Sequence, residues 1–174
     1  MPLKPPVSAK DHIQGNLNAV VELVEYGDYQ CPYCGQTYPI IKSIQNKFGN
    51  DLKFVFRNFP LSETHPNAKL AATSAEAADR QGQFWEMHDI LFENQSRLYL
   101  SALMEYAKLI GLDVGQFKND IVKTEVIEKV ESDFESGVRS GVNGTPSFFI
   151  NGKKYNDSWD ENSLEDFIKS MINS

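Results

Sequence analysis

No apolar run in this chain approaches the roughly 18 residues that a membrane-crossing helix needs, so no membrane span is expected. The opening stretch MPLKPPVSAKDHIQG likewise lacks the apolar segment of an export signal. A native start of this kind predicts a cytoplasmic protein; a chain trimmed of a leader would instead be periplasmic or otherwise extracytoplasmic. Positive charge is scarce as well. Against 24 acidic residues there are 17 basic ones, a net charge of −7, and no lysine or arginine stripe that could neutralise phosphates, so nucleic acid is not an expected partner. Soft metal ligands are few: two cysteines and three histidines, His12, His65 and His88, scattered without ligand spacing. No metal and no cofactor is expected. Internal repeats and low-complexity segments are absent.

What the chain does have is 41% apolar content in 174 residues, enough for one sizeable core. Residues 1–18, with Pro2, Pro5 and Pro6, read as an irregular arm. AVVELVEY, 19–26, is β-branched and nearly continuously apolar, as a strand buried on both faces should be, with Glu22 and Glu25 interrupting it. From Cys34 onward Tyr38, Ile41, Ile44 and Phe48 recur at helical spacing up to Gly49, with Pro39 inside the helix as a kinking residue. LKFVFRNF, 52–59, predicts a second strand that Pro60 ends. Strand, cysteine turn, helix and strand make a βαβ unit.

From about 66 to 142 helical signals follow one another. An alanine-rich segment opens near Pro66 and closes at Gly82. Phe84, Met87, His88 and Leu91 share one face, with Trp85 and Met87 read as core. Stripes at Leu100, Leu103, Ala107 and Ile110, at Phe117, Ile121 and Val122, and at Ile127, Val130, Phe134 and Val138 follow. After GVNGTP the period returns to two: SFFING, 147–152, reads as a strand and Asn151-Gly152 as a hairpin turn into KKYN. Ser163 is placed to cap a last helix with Asp166 at the capping-box position. The chain therefore divides into an arm (1–18), a first α/β half with the cysteines (19–62), a helical insert (63–142) and a second half (143–174).

Both cysteines lie in CPYC, 31–34. Two thiols so close admit three uses. A structural disulfide across two residues removes little chain entropy, far less than the roughly 3 kcal/mol of a fifteen-residue loop. A zinc site lacks further ligands. A redox pair fits the geometry: at a strand end and helix start, unpaired N–H groups and the helix dipole stabilise a thiolate on Cys31. Pro32 near the first helical position loses nothing by its missing N–H. Cys31 is then the nucleophile and Cys34, one turn on and more buried, the resolving thiol.

The order VEYGDYQCPYCG, FVFRNFPL, FWEMHD and GVNGTPSFFING resembles the thioredoxin superfamily and, within it, the DsbA-like thiol-disulfide oxidoreductases, over nearly the whole chain. The CPYC tetrapeptide is also similar to that of glutaredoxins, but the 112 positions from Cys34 to Pro146 hold a helical block that glutaredoxins lack. The resemblance implies an α/β thioredoxin fold with an inserted helical subdomain. It also implies an oxidase or isomerase acting on protein disulfides, with thiol- or disulfide-bearing proteins or peptides as substrates and a further redox partner of unspecified identity. Glutathione-dependent reduction and a redox-inactive binding module are the alternatives. The resemblance makes Glu25, six residues before Cys31, a buried proton relay for Cys34, against the plain reading of a strand-end glutamate. Arg57 on the neighbouring strand is a candidate partner for it. Thr145-Pro146 matches the family's cis-proline and, with Pro32 and Tyr33, would meet an extended substrate by strand addition. Tyr33 replaces the histidine of the best-studied members, which implies a less extreme oxidant. His65 and His88 match framework positions, expected as capping or core-edge residues.

Overall fold

The computed structural model describes residues 1–174. Five strands, β1 (His12–Gly15), β2 (Val21–Gly27), β3 (Leu52–Asn58), β4 (Ser147–Ile150) and β5 (Lys153–Tyr155), form one sheet in the order β1-β3-β2-β4-β5. β2 and β3 run parallel, joined through helix α1 (Pro32–Phe48); every other pairing is antiparallel. Between β3 and β4 the chain forms α2 (Ala68–Asp79), α3 (Phe84–Glu93), α4 (Leu100–Leu109), α5 (Val114–Asp120) and α6 (Thr124–Arg139), and it ends in α7 (Glu161–Ile172).

The pleat of the three central strands decides what each face buries. Leu23, Phe54, Phe56, Phe148 and Ile150 point into a large cluster that takes in Ile41 and Ile44 of α1, Leu164 and Ile168 of α7, and Met87 and Leu91 of α3. Val24, Tyr26, Val55 and Phe149 point the other way, into a smaller cluster with Leu3, Phe59 and Val142. Burial on both faces is why β2 and β3 read as almost unbroken apolar runs. The alanines of α2 are buried on nearly all sides, their small side chains letting neighbouring elements approach closely.

Three expectations are corrected. The stretch 1–18 is not irregular throughout: His12–Gly15 is an edge strand, antiparallel to β3 from the His12–Phe56 pair to the Gly15–Lys53 pair. Four residues of mixed polarity carry no strand signal alone; the hydrogen-bonding edge of β3 supplies it. The last helix is capped by Asp160, whose carboxylate accepts from the Ser163 backbone N–H at 3.1 Å, so Ser163 is the third helical residue rather than the cap. In α6 the inward face is Val126, Val130, Asp133, Ser136 and Gly137, while Val138 is exposed. Polar groups are at home there because β3 meets them. The Asn58 backbone N–H and side-chain amide both donate to Asp133, Lys129 donates to the same carboxylate, and the Tyr26 and Ser136 hydroxyls are 2.8 Å apart.

Gly137 faces Phe59 and Tyr26 so closely that an added Cβ would lie 2.6 Å from the Phe59 ring. Gly137→Ala should therefore destabilise the protein by roughly 1–3 kcal/mol despite alanine's better helix propensity, a result that denaturant unfolding would read directly.

Candidate active site

β2 ends at Gly27, and the next four residues turn the chain so that Cys31 becomes the N-cap of α1, with Pro32 at its first position. Cys31 has extended backbone dihedrals (φ −68°, ψ 122°), and its carbonyl accepts the first helical hydrogen bond from the Gly35 N–H at 3.1 Å. Both cysteines are free thiols in this structure. Although both are buried, their environments differ in sign. The Cys34 thiol donates toward Cys31, which is the largest influence holding the Cys31 thiol down at about 5 against an ordinary 9.0. Burial opposes this, and the Thr145 hydroxyl together with the Cys34 and Tyr33 backbone N–H groups reinforces it. That hydroxyl is buried and otherwise unpartnered. Cys34 is pushed well above the ordinary thiol range, first by burial and then by its bond to Cys31 and the charges of Glu25 and Cys31. One thiol is thus built to ionise and its neighbour to hold its proton.

Glu25 lies in register between Phe56 of β3 and Phe148 of β4, on the sheet face that also buries the cysteines. It is 3% exposed and its Oε1 has no hydrogen-bond partner. Burial, and then the negative charge on Cys31, raise its carboxyl from 4.5 to about 8. Arg57 does not pair with it. Arg57 stands opposite Tyr26, one residue on, so its side chain leaves by the other face of the sheet. There it binds Asp11 through Nε and Nη2 at 2.7 and 3.0 Å, the Tyr26 hydroxyl, and the carbonyls of Pro5 and Pro6. The arginine clamps the N-terminal arm instead of tuning the acid.

The Thr145–Pro146 peptide is cis, and the Thr145 carbonyl is 3.5 Å from Cys31 Sγ, so the loop before β4 abuts the CPYC turn. Pro32 and Tyr33 are exposed, the latter at 59%. The six residues named from the sequence around the dithiol, together with Glu25, therefore converge on one end of the sheet.

Of the histidines, His65 donates or accepts at Nδ1 with the fully buried Asp28 carboxylate, 2.8 Å away. The same carboxylate accepts from the Gln30 and Leu61 N–H groups, while the Asp28 N–H faces Cys34 Sγ at 3.5 Å. His88 sits deeper than a core edge, among Tyr29, Phe56, Phe84, Trp85 and Phe92; burial drives its pKa far down, so it is neutral, with Nδ1 on the Tyr29 hydroxyl at 3.0 Å. His12 is less isolated than its place in the sequence suggests. Its ligand atoms lie within 4.8 Å of those of Glu76 and Asp79, but its Nε2 is already 2.9 Å from both Glu76 oxygens and its ring stacks on Phe84. One residue escaped the sequence reading altogether. Gln95, in the loop after α3, donates its amide to the carbonyls of both Tyr29 and Cys31, at 3.0 and 2.8 Å. Nothing marks a loop glutamine in sequence; its place becomes visible only where the missing Cβ of Gly35 leaves room for the amide.

A dithiol at a strand-to-helix junction beside a cis-proline, on a sheet of this order, defines a thioredoxin-fold protein with a CxxC centre. The sequence profile described as thioredoxin matches residues 8–170, and the chain belongs to that family. Its fold is the DsbA-like one, with a helical insertion. Oxidised BdbD from Bacillus subtilis superposes with a TM-score of 0.84 at 26% identity, covering 95% of this chain and 94% of that one. A thioredoxin-like oxidoreductase from Silicibacter pomeroyi gives 0.85 at 24%, covering 96% and 95%. The thiol-disulfide exchange protein α-DsbA2 from Wolbachia pipientis gives 0.83 at 22%, covering 94% and 88%. Among curated proteins the chain is 38% identical over 163 residues to the Na+/H+ antiporter NhaA 1 of Salinispora arenicola and 41% over 164 to that of Mycobacterium sp. (strain KMS). It covers 94% and 93% of itself in these matches but only 25% and 27% of those proteins, so it spans about a quarter of their length. No helix of this chain is long and apolar enough to cross a membrane.

The Glu25 carboxyl penalises the folded state as pH rises from 4.5, where the unfolded chain ionises, to about 8, where the folded one does. Glu25→Gln should leave stability unchanged near pH 4. It should increase it by a growing margin up to pH 8, at about 1.4 kcal/mol per tenfold difference in proton affinity. Unfolding curves at the two pH values test this; a difference independent of pH would contradict it.

Proposed function

We propose that this chain is a thiol-disulfide oxidoreductase of the oxidase or isomerase type, acting on cysteine-bearing proteins or peptides. The observation that carries the reading is the opposed tuning of the two thiols. A low-pKa Cys31 stabilises the dithiol form, which makes the corresponding disulfide a good acceptor of electrons.

In the oxidising direction a substrate thiolate attacks Cys31 Sγ of the Cys31–Cys34 disulfide. The S–S bond breaks and a mixed disulfide forms. Cys34 leaves as a thiolate into an environment that favours its protonated form, and Glu25, still holding a proton at neutral pH, is the group suited to supply one. A second substrate thiolate then attacks the substrate sulfur of the mixed disulfide and expels Cys31 as its stabilised thiolate. Two substrate thiols become a disulfide, and the protein keeps the two electrons as a dithiol until a redox partner removes them. Isomerisation starts instead from the dithiol: the Cys31 thiolate attacks a substrate disulfide, forming a mixed disulfide and releasing one substrate thiolate. Another substrate thiolate then attacks the substrate sulfur and expels Cys31, so that no electrons are transferred overall. Pro32, Tyr33, Thr145 and Pro146 line the approach, where an extended peptide would pair with the backbone beside the cis-proline.

The five helices between β3 and β4 weigh against the glutaredoxin-like alternative. The transport named for the antiporter relatives is not assigned to this chain; the matching quarter is read as a thiol-exchange module. Cys31→Ser should abolish insulin reduction and refolding of a reduced, disulfide-containing substrate. Equilibration with glutathione should place the couple between about −180 and −120 mV, less oxidising than DsbA because Tyr33 brings no cation. A value near −270 mV would make the protein a reductase, and a redox-silent protein that still binds partners would make it a binding module.

A further inference from the structure

Gln95 is one of few side chains that cross from the helical insert to the cysteine turn. Its amide nitrogen donates to two carbonyls, those of Tyr29 at 3.0 Å and Cys31 at 2.8 Å, which bracket the residue immediately before the nucleophile. The Cys31 carbonyl also receives the Gly35 N–H at 3.1 Å, so both its acceptor positions are occupied and the peptide plane between Cys31 and Pro32 is held from two sides. Gly35 makes room for this. A Cβ there would lie 2.0 Å from Gln95 Oε1 and 2.7 Å from its Cδ, so the residue following the CxxC is matched to a side chain sixty positions later. The loop carrying Gln95 is itself anchored: Leu98 is buried in the main core, and the Arg97 carbonyl accepts from the Tyr106 hydroxyl at 2.7 Å.

We propose that Gln95 is a positioning residue through which the helical insert sets the orientation of the Cys31 peptide and thereby the reactivity of its thiol. The geometry gives the route. The backbone N–H groups of Tyr33 and Cys34 reach the Cys31 sulfur only while the first turn of α1 keeps its alignment with residue 31. The groups facing that sulfur from other elements are the Thr145 carbonyl and hydroxyl and the Glu25 carboxyl of β2, with Cys34 from within α1. Loss of the amide frees the 31–32 peptide to rotate, turns those N–H groups away and leaves the carbonyl of Cys31 with one donor. The thiolate is then less well held, the dithiol form less favoured, and the disulfide a weaker oxidant. Gln95→Glu goes further, since a carboxylate offers no donor to either carbonyl and adds negative charge beside a developing thiolate.

This inference deepens the redox reading of Cys31, and its test separates the two. The thiolate of the reduced full-length protein is titrated by its ultraviolet absorbance, and the couple is equilibrated with glutathione, for the unmodified protein, Gln95→Ala, Gln95→Glu and Gly35→Ala. Unmodified protein without an acid-shifted thiol would sink the redox reading itself. With that shift present, Gln95→Ala is expected to raise the Cys31 pKa and lower the equilibrium constant for substrate oxidation about tenfold, equal to about 30 mV for a two-electron couple. Gln95→Glu should do so more strongly. Gly35→Ala, which expels the same amide without altering residue 95, should reproduce the shift, and adding Gln95→Ala to it should bring little further change. Variants that lose thermal stability but keep the unmodified pKa and potential would reduce Gln95 to a structural tie and overturn the proposal.

Discussion

At the junction of β2 and α1 one backbone turn separates two thiols into opposite electrostatic worlds, and the rest of the molecule is arranged around keeping them apart. Cys31, as helix N-cap, receives N–H groups that have no partner within the helix, while Cys34 is swung inward by the first turn against the sheet. The thiolate is favoured at one position and disfavoured at the other by the same piece of backbone. Every other feature of the site either sharpens that difference, as Thr145 does, or makes use of it, as Glu25 is suited to do.

The sheet contributes through register. Because side chains alternate, the strand that delivers Cys31 also points Glu25 at the phenylalanines of both neighbouring strands, where its Oε1 has no hydrogen-bond partner and burial outweighs the influence of the Thr37 hydroxyl. The next residue, Tyr26, points to the opposite face, where Arg57 is available but spent on Asp11 and on the carbonyls of the arm. A shift of one residue in the β2–β3 pairing would bring acid and arginine together and hold the carboxyl ionised at neutral pH. The two faces thus divide the labour: one keeps an acid dry, the other fastens the N-terminal segment to the sheet.

The helical insert is more than cover for the sheet. α3 brings His88 and a set of aromatic rings beneath Tyr29, α6 fits Gly137 against Phe59, and the loop after α3 reaches the cysteine turn through Gln95. Three separate elements of the insert therefore touch residues 26–35 or their immediate support, which makes the insert part of the reactive centre's frame.

Periodicity and punctuation made much of this legible beforehand. The apolar runs of β2 and β3, the Asn151-Gly152 turn, the proline within α1 and the CPYC spacing each depend on forces between neighbours in the chain, and those act wherever the sequence occurs. Strand β1, the Asp160 cap, the polar inner face of α6 and the destination of Arg57 were not legible, because each is settled by a partner dozens of residues away. The sequence by itself determined that two thiols one helical turn apart would stand at the start of an amphipathic helix after a buried strand. Tertiary packing alone decided how far their acidities diverge, since that depends on how deeply each thiol is buried and on Thr145 and Glu25, which the linear order leaves apart from the cysteines.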